Sequence, residues 1–214
     1  MDDFLRDFQQ LKKTDTHVAG GKGASLGEMA RAGMPVPPGF VITAAAFERF
    51  LVDVDLTQEI AAALGKVNYR DLNSVQRASN VIRDLIHDAK FPTTLGAAVL
   101  ERFRRLKSLS VAVRSSATAE DSSVASWAGE LESYLNTTAK TLLGNVKKCW
   151  SSLYTPRAIV YRNEKGLRRS KVSVAVVVQQ MVQAEVAGIA FTVHPVTKDR
   201  NQMVIEAGFG LGEA

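Results

Sequence analysis

The residues best suited to chemistry lie near the middle of the chain, where residues 111–136 read VAVRSSATAEDSSVASWAGELESYLN. The stretch begins as a short apolar strand and places Arg114 at the end of that strand. A guanidinium pairs with a phosphate through two N–H groups, and backbone amides of a loop complete such a site. The pattern therefore indicates a polyphosphate site, although a solvated Ser-rich loop has the same composition. The small hydroxylated residues that follow the arginine are Ser115, Ser116, Thr118, Ser122, Ser123 and Ser126.

A second candidate site is the glycine-rich segment GGKGASLGEM at residues 20–29. It is not a Walker A loop, because the required spacing between glycine, lysine and Ser/Thr is absent. It is not a dinucleotide fingerprint either, because Leu26 stands where the third glycine belongs. Glycines let a backbone approach a ligand, and Lys22 stands just before a predicted helix N-terminus, which favours anions. The segment indicates either a phosphate contact through Lys22 or a flexible turn with an exposed lysine.

Helical periodicity dominates the block between residues 56 and 106. Apolar residues recur there at i, i+3 or i+4, as an amphipathic helix requires, and Pro92 marks a break between two helices. We expect this block to shape a cleft without chemistry of its own. We expect His87, within the block, to be a surface or capping residue.

Further helices flank the candidate sites. Thr43 and Thr155 are predicted N-cap residues, and Pro156 occupies the first helical position, which its fixed φ favours. Residues 141–150 are also predicted to be helical. Within residues 1–19, one helical face is predicted to contain Phe4, Leu5, Phe8 and Leu11.

Strands are predicted where valine accumulates. Residues 172–182 predict a buried strand, and shorter strands are expected at residues 40–42, 187–193 and 203–207. A nucleotide base needs a flat apolar slot with backbone hydrogen bonds at its edge, which the end of such a strand supplies; a plain core strand shows the same pattern. The predicted fold class is α/β in the α+β sense, with a mostly antiparallel sheet and flanking helices.

The composition excludes several classes of protein. The chain of 214 residues has 27 Lys+Arg against 22 Asp+Glu, and these charges are too dispersed for a nucleic-acid-binding stripe. The single cysteine, Cys149, excludes an internal disulfide framework and indicates a reducing compartment. Because neither a secretory leader nor a long apolar run is present, we expect a soluble cytoplasmic protein without a membrane or nucleic-acid partner.

Both candidate sites resemble one known family. RSSATAEDSSVASWAGELESYLN resembles the nucleotide-binding signature of phosphoenolpyruvate synthases, pyruvate phosphate dikinases and rifampicin phosphotransferases. GGKGASLGEM, with the VPPGF that follows at residues 36–40, resembles the beginning of the same family. The segments GIAFT at residues 188–192 and GFGLGE at residues 208–213 resemble two later motifs of it. The similarity extends from about residue 10 to the end of the chain.

The resemblance implies an ATP-grasp-like ATP-binding domain and a role for each motif. Lys22 and Arg114 are implied to hold the transferring phosphates of ATP. The end of the valine-rich strand is implied to be the adenine hinge, with Gln180, Met181 and Val182 as contacts. A lid over the phosphates is implied at Gly129, Glu130, Leu131, Glu132 and Ser133. Relatives often read Gly-Gln-x-Glu-Thr in this lid, so Glu130 is a departure that adds negative charge.

The resemblance also implies parts that this sequence lacks. The family's Mg²⁺ ligands are expected beyond residue 214, so no metal ligand is assigned within the chain. His17, His87 and His194 do not have the context of a phosphohistidine. The expected partners are therefore ATP and the phosphohistidine and acceptor-binding domains of a full-length enzyme. We expect the chain to be the front part of a nucleotide-binding domain, incomplete at its C-terminus.

Three functions stay open at this point. The first is the ATP-binding portion of a phosphoenolpyruvate synthase (pyruvate, water dikinase), which passes phosphate from ATP to a histidine and on to pyruvate. The second is the same portion of a rifampicin phosphotransferase, and the third is a non-catalytic nucleotide-binding module. Within one ATP-binding domain we expect a glycine-loop and helical lobe over residues 1–110 and a central nucleotide-binding lobe over residues 111–214.

Overall fold

The computed structural model describes residues 3–118, 132–167 and 172–212. The chain divides into two compact units, Met1–Met181 and Val182–Ala214. The expected division into lobes at residue 110 stays a prediction, and strands from both sides of that position share one sheet in the first unit.

The first unit is built on a five-stranded sheet with the spatial order β1-β2-β5-β3-β4, and all of its strand pairs are antiparallel. The strands are β1 (Leu5–Asp7), β2 (Gly39–Ile42), β3 (Val111–Ala117), β4 (Ser133–Thr137) and β5 (Val174–Gln180). The central strand β5 is buried on both faces from residue 174 to residue 179, as its valine-rich sequence predicts. The predicted antiparallel α+β architecture is confirmed for this unit.

Seven α-helices are described in the first unit: α1 (Thr16–Arg31), α2 (Ala44–Asp53), α3 (Thr57–Gly65), α4 (Leu72–Asp88), α5 (Thr93–Arg105), α6 (Leu142–Ser151) and α7 (Pro156–Glu164). The predicted helical block is therefore confirmed. Thr155 caps α7, because its hydroxyl accepts the N–H of Ala158 at 3.2 Å. Thr43 occupies the N-cap position of α2, but its hydroxyl donates to the carbonyl of Asp3 at 2.8 Å.

The helical prediction for residues 1–19 is wrong at its apolar positions. Leu5 lies in β1 and pairs with Ile42 of β2, and Phe8 begins a short 3-10 helix, Phe8–Gln10. Leu5 packs into one buried cluster, whereas Phe8 and Leu11 pack into another. Pairing along the sheet edge and burial on two different faces override a local helical spacing.

The two faces of the five-stranded sheet carry different cores. One face packs against α2, α4, α5 and α6 and includes Trp150, which stacks on Phe47 at 5.5 Å and on Phe91 at 5.3 Å between ring centroids. We call this the helical face. The other face packs against α1 and has a smaller buried cluster, which we call the α1 face. That cluster consists of Phe8, Leu11, Ala19, Val41, Ala175 and Val177.

Cys149 lies in α6 against the sheet and is fully buried. Its sulfur lies 3.8 Å from the carbonyl oxygen of Val113 and 3.9 Å from that of Glu132. Burial raises the pKa of the thiol well above its usual range, and Glu132 adds to the shift. The prediction that this cysteine is buried is confirmed.

The second unit contains a two-stranded antiparallel sheet of β6 (Val186–Phe191) and β7 (Val204–Phe209). Both predicted strands are confirmed. In the connection between them, Nδ1 of His194 accepts the N–H groups of Val196 and Thr197 at 3.2 and 3.1 Å. The imidazole of His194 therefore stabilises a turn.

In the parts of the chain that the structure describes, none of the helices has the length and apolar character needed to cross a bilayer.

Candidate functional site

A kink in α1 brings the glycine-rich segment against the sheet. Gly20 has φ +66° inside the helix, a conformation that side-chain-bearing residues rarely adopt. A Cβ at this position would lie 2.2 Å from Oγ of Ser116 and 2.4 Å from its carbonyl oxygen. Only glycine therefore lets α1 approach β3 this closely. The segment of α1 after the kink begins at Gly21 and carries Lys22 in its first turn.

A side-chain contact ties that first turn to β3. Oγ of Ser116 accepts the backbone N–H of Lys22 at 3.1 Å and that of Gly23 at 3.4 Å. The hydroxyl thus satisfies two of the backbone donors that a helix start leaves without a helical partner. The backbone N–H groups of Lys22 and Gly23 thus have an acceptor within the protein, and Lys22 is half-buried.

Arg114 lies on the same face of the sheet as α1. Side chains alternate along a strand, and Val113 and Ala117 of β3 belong to the core of the helical face. Arg114 and Ser116 consequently project to the α1 face, in agreement with the contact between Ser116 and Lys22. The structure thus brings the two predicted phosphate-binding residues, Lys22 and Arg114, to one side of the sheet. Both are half-buried.

The described part of the predicted lid divides between the two faces. Ser133 of β4 lies opposite Arg114 in the strand register and is exposed. The carboxylate of Glu132 instead contacts the helical face, where it accepts hydrogen bonds from Arg83 at 3.1 Å and from the hydroxyl of Tyr134. Burial and this hydrogen bond to Glu132 raise the pKa of Tyr134 above its usual range. Gly129, Glu130 and Leu131 lie outside the described residues.

The predicted adenine hinge lies at the end of β5. The N–H of Gln180 donates to the carbonyl of Pro38 at 2.8 Å, and that of Met181 donates to the carbonyl of Ser110 at 3.2 Å. Neither N–H group is available to a nucleotide base. Val182 is the first residue of the second unit and is 55% exposed. The hinge assignment stays a prediction.

The register of β5 orders the candidate residues along the sheet. Ser116 lies opposite Ala175, Arg114 lies opposite Val177, and Val111 lies opposite Gln180. Five residues of an antiparallel strand span about 17 Å. The contact to Lys22 therefore lies toward one end of β5 and Gln180 lies at the other, with Arg114 between them.

The family described as pyruvate phosphate dikinase, AMP/ATP-binding domain, matches residues 16–214 of the sequence. The chain belongs to this family. A probable phosphoenolpyruvate synthase of Methanocaldococcus jannaschii is 45% identical over 217 residues, covering 98% of this chain and 18% of the relative. One of Methanothermobacter thermautotrophicus is 44% identical, covering 99% of this chain and 32% of the relative. A rifampicin phosphotransferase of Bacillus cereus is 38% identical, covering 100% of this chain and 25% of the relative. The chain thus spans between about a fifth and a third of the length of these relatives.

His87 of this dikinase-family domain lies in the last turn of α4 and contacts α6. Its Nε2 contacts Oγ of Ser151 at 2.8 Å, and that hydroxyl donates its hydrogen to the carbonyl of Lys148 at 2.9 Å. Nε2 must therefore be the donor to Ser151. Burial lowers the pKa of His87, and the positive charges of Arg83 and Lys147 contribute to the decrease. A structural, capping-type role fits these contacts.

The described residues of this dikinase-family domain contain no group of three or more His, Cys, Asp or Glu side chains placed to hold a metal ion. Glu132 is among the carboxylates close to the candidate site in sequence, and its oxygens already accept hydrogen bonds from Arg83 and Tyr134. The two candidate residues that the structure brings to the α1 face, Lys22 and Arg114, are both cationic.

The contact made by Ser116 was not predicted from the sequence, where this serine stands out only as one member of a hydroxylated run. The available signal was the strand period, because a residue two positions after Arg114 must share its face. The partner of Ser116 lies 94 residues earlier in the chain, and no local pattern indicates that partner.

Proposed function

We propose that this chain is the ATP-binding portion, ATP-grasp-like in fold, of a phosphoenolpyruvate synthase-like dikinase. The full enzyme transfers a phosphate from ATP to a histidine on a separate domain and then to pyruvate. Relatives named probable phosphoenolpyruvate synthase reach 45% identity, whereas the rifampicin phosphotransferase reaches 38%, which favours pyruvate over rifampicin as the acceptor. The phosphohistidine and acceptor-binding domains are the partners that this proposal requires.

The observation that carries the proposal is the convergence of two cationic residues on the α1 face. The first turn that holds Lys22 is bonded to Ser116, two residues after Arg114 on the same strand face. In the proposed complex, the ammonium of Lys22 and the guanidinium of Arg114 hold the β- and γ-phosphates and stabilise the charge that develops during transfer. One such charge about 4 Å from a phosphate contributes roughly 1–4 kcal/mol, depending on how much water the site admits.

ATP would then extend along β5, with its phosphates toward Arg114 and its base toward the strand end. The separation of about 17 Å between the register positions of Ser116 and Gln180 provides the length for such an extended ligand. In this arrangement the base contacts Gln180, Met181 and Val182. The N–H groups of Gln180 and Met181 already donate to Pro38 and Ser110, so a backbone hydrogen bond to the base would come from Val182. The backbone of residues 129–133 would form the lid over the phosphates, while the carboxylate of Glu132 stays paired with Arg83 on the helical face.

The proposed enzyme also requires Mg²⁺, for which no ligand is assigned within this chain. A divalent cation would neutralise the phosphates and orient them for transfer. The residues of this chain perform the other part of the task. Lys22 and Arg114 bind the phosphates electrostatically, and α1 and β3 keep the two cations on one face of the sheet.

Calorimetric titration of the 214-residue chain with a non-hydrolysable ATP analogue and Mg²⁺ tests the proposal. Lys22→Ala and Arg114→Ala should each raise the Kd by one to three powers of ten, because each removes a phosphate-binding charge. The matched controls are Lys13→Ala and Arg105→Ala. Their side chains are 80% and 67% exposed, so these changes should leave the Kd within about twofold.

A wild-type chain that binds no analogue would contradict the catalytic proposal and favour a non-catalytic module. Equal effects of the two site variants and their controls would contradict the assigned roles of Lys22 and Arg114. For a full-length protein, formation of phosphoenolpyruvate from pyruvate, with no phosphorylation of rifampicin, would identify the acceptor. The reverse result would assign the chain to an antibiotic-modifying enzyme.

A further inference from the structure

We propose that Ser116 is a positioning residue for Lys22: its hydroxyl fixes the start of the second segment of α1 and so sets where the lysine ammonium meets the phosphates. This inference rests on the proposed ATP-binding function and extends it to a residue that need not touch ATP. The contact involves the backbone N–H groups of Lys22 and Gly23, which both donate hydrogen bonds to the buried side chain of Ser116.

The geometry of the contact is that of a helix cap supplied from a distant strand. A helix start is normally capped by the residue that precedes it, but the residue before this segment is Gly20, which has no side chain. Ser116 supplies the missing acceptor from β3 and is itself 0% exposed. The kink at Gly20 and the hydroxyl at position 116 fit each other, since any Cβ on Gly20 would collide with that hydroxyl.

The adjacent residue Ser115 provides an internal contrast. It is also buried, at 1% exposure, but its hydroxyl donates to the carbonyl of Glu132 on β4 at 2.9 Å. Neither its side chain nor its backbone has a described hydrogen bond to α1. Two neighbouring buried serines thus bond to different elements, and only Ser116 bonds to the turn that carries Lys22.

Removal of the Ser116 hydroxyl would take away the oxygen that accepts the N–H groups of the half-buried Lys22 and the buried Gly23. Unpaired buried donors are costly, so the first turn would shift or fray until water reaches them. The backbone from which the Lys22 side chain extends would then no longer be held in a fixed position relative to Arg114. Affinity for the phosphates of ATP should fall, whereas affinity for adenosine, which has no phosphate, should not.

The test compares Ser116→Ala with Ser115→Ala in the 214-residue chain. We expect Ser116→Ala to raise the Kd for ATP about five- to tenfold, the effect of losing a helix cap, and to change the Kd for adenosine less than twofold. Ser115→Ala should leave the ratio of the two constants unchanged. Hydrogen exchange supplies a readout independent of ATP, because the amides of Lys22 and Gly23 should lose protection only in Ser116→Ala.

A double-mutant cycle separates positioning from general damage. In a Lys22→Met background, Ser116→Ala should have less than a twofold effect on the Kd for ATP, because the group that the serine positions is already absent. Ser116→Cys is a second variant of similar shape with a weak sulfur acceptor, and it should give an intermediate Kd. This variant keeps the test decisive if Ser116→Ala does not fold.

Several results would overturn the inference. Equal ATP-to-adenosine ratios in Ser116→Ala and Ser115→Ala would assign Ser116 a structural role only, as would an undiminished effect in the Lys22→Met background. Tighter ATP binding by Ser116→Ala would mean that the freed amides themselves bind phosphate. A wild-type chain that binds no ATP would refute the proposed function and the positioning role together, whereas a chain that binds ATP but ignores Ser116 would refute the positioning role alone.

Discussion

The two faces of the five-stranded sheet in the first unit differ in the size of their apolar core and in the charged residues they carry. The helical face buries aromatic and aliphatic side chains, with Trp150 fully buried between Phe47, Phe50 and Phe91. The α1 face buries only a small cluster and carries Lys22 and Arg114 beside it. The hydrophobic effect dominates the helical face, whereas on the α1 face a small apolar cluster is joined by hydrogen bonds from the N–H groups of Lys22 and Gly23 to the hydroxyl of Ser116. Substitutions should therefore separate stability from phosphate binding according to the face they change.

The largest expected effect is loss of stability on the helical face. Trp150→Ala should lower the free energy of unfolding by about 3–5 kcal/mol, because it removes a buried ring from close packing with three others. Urea denaturation followed by circular dichroism measures this change. Trp150→Phe is the matched control and should cost clearly less. A loss under about 1 kcal/mol for Trp150→Ala would contradict the packing that the structure shows.

The second expected effect tests the kink on the α1 face. Gly20→Ala should lower the free energy of unfolding by roughly 1–3 kcal/mol, because alanine is strained at φ +66° and its Cβ would overlap Ser116. It should also weaken binding of an ATP analogue by the protein that stays folded. Gly33→Ala is the control: Gly33 also has positive φ, at +77°, but a Cβ there would have open space around it. Equal losses in both variants would show that the close approach to Ser116 is unimportant.

A smaller effect is expected at Glu132, where the family resemblance and the structure suggest different roles. Glu132→Gln removes the charge that pairs with Arg83, so it should cost about 1 kcal/mol of stability. Because the side chain contacts the helical face, the Kd for an ATP analogue should change less than twofold. Ser133→Ala, on the opposite face, should leave stability nearly unchanged. A large increase in the Kd for Glu132→Gln would support a lid role for this carboxylate.

The smallest expected effect is a pH dependence from His87. Burial and nearby cations lower its pKa from the ordinary value of 6.5. At pH values between this lowered pKa and 6.5, the unfolded chain therefore binds a proton more readily than the folded chain. Its contribution to stability is therefore complete above about pH 6.5 and falls as the pH decreases toward the folded-state pKa. Urea midpoints at pH 7.5 and 5.5 measure this loss. His87→Gln retains a donor for Ser151 and should show a weaker decrease across the same interval.

Much of the fold was predictable because its signals are local. The spacing of apolar residues between residues 56 and 106 and the valines of β5 correspond directly to observed helices and to the central strand. The failure at Leu5 and Phe8 has a physical reason. A three-residue edge strand obtains its stability from pairing with β2, and that pairing depends on a segment more than 30 residues away.

The candidate site was predictable in its residue types but not in its geometry. Lys22 and Arg114 were identified from their surroundings in the sequence, and the structure brings both to the α1 face. The contact that joins their elements, between Ser116 and the amides of Lys22 and Gly23, depends on a kink at Gly20 and on a strand much later in the chain. Glu132 shows the converse: its place within the predicted lid gave no indication that its carboxylate pairs with Arg83 of α4.

Cys149 can serve as a chemical probe of the movement of α6 away from the sheet. It is the one cysteine in the sequence, and its sulfur is shielded between α6 and the backbone of β3 and β4. A thiol reagent can reach it only when α6 separates from the sheet. The labelling rate therefore reports how often this local opening occurs. If a nucleotide tightens this unit, saturating ATP should slow the labelling without any change to the sequence.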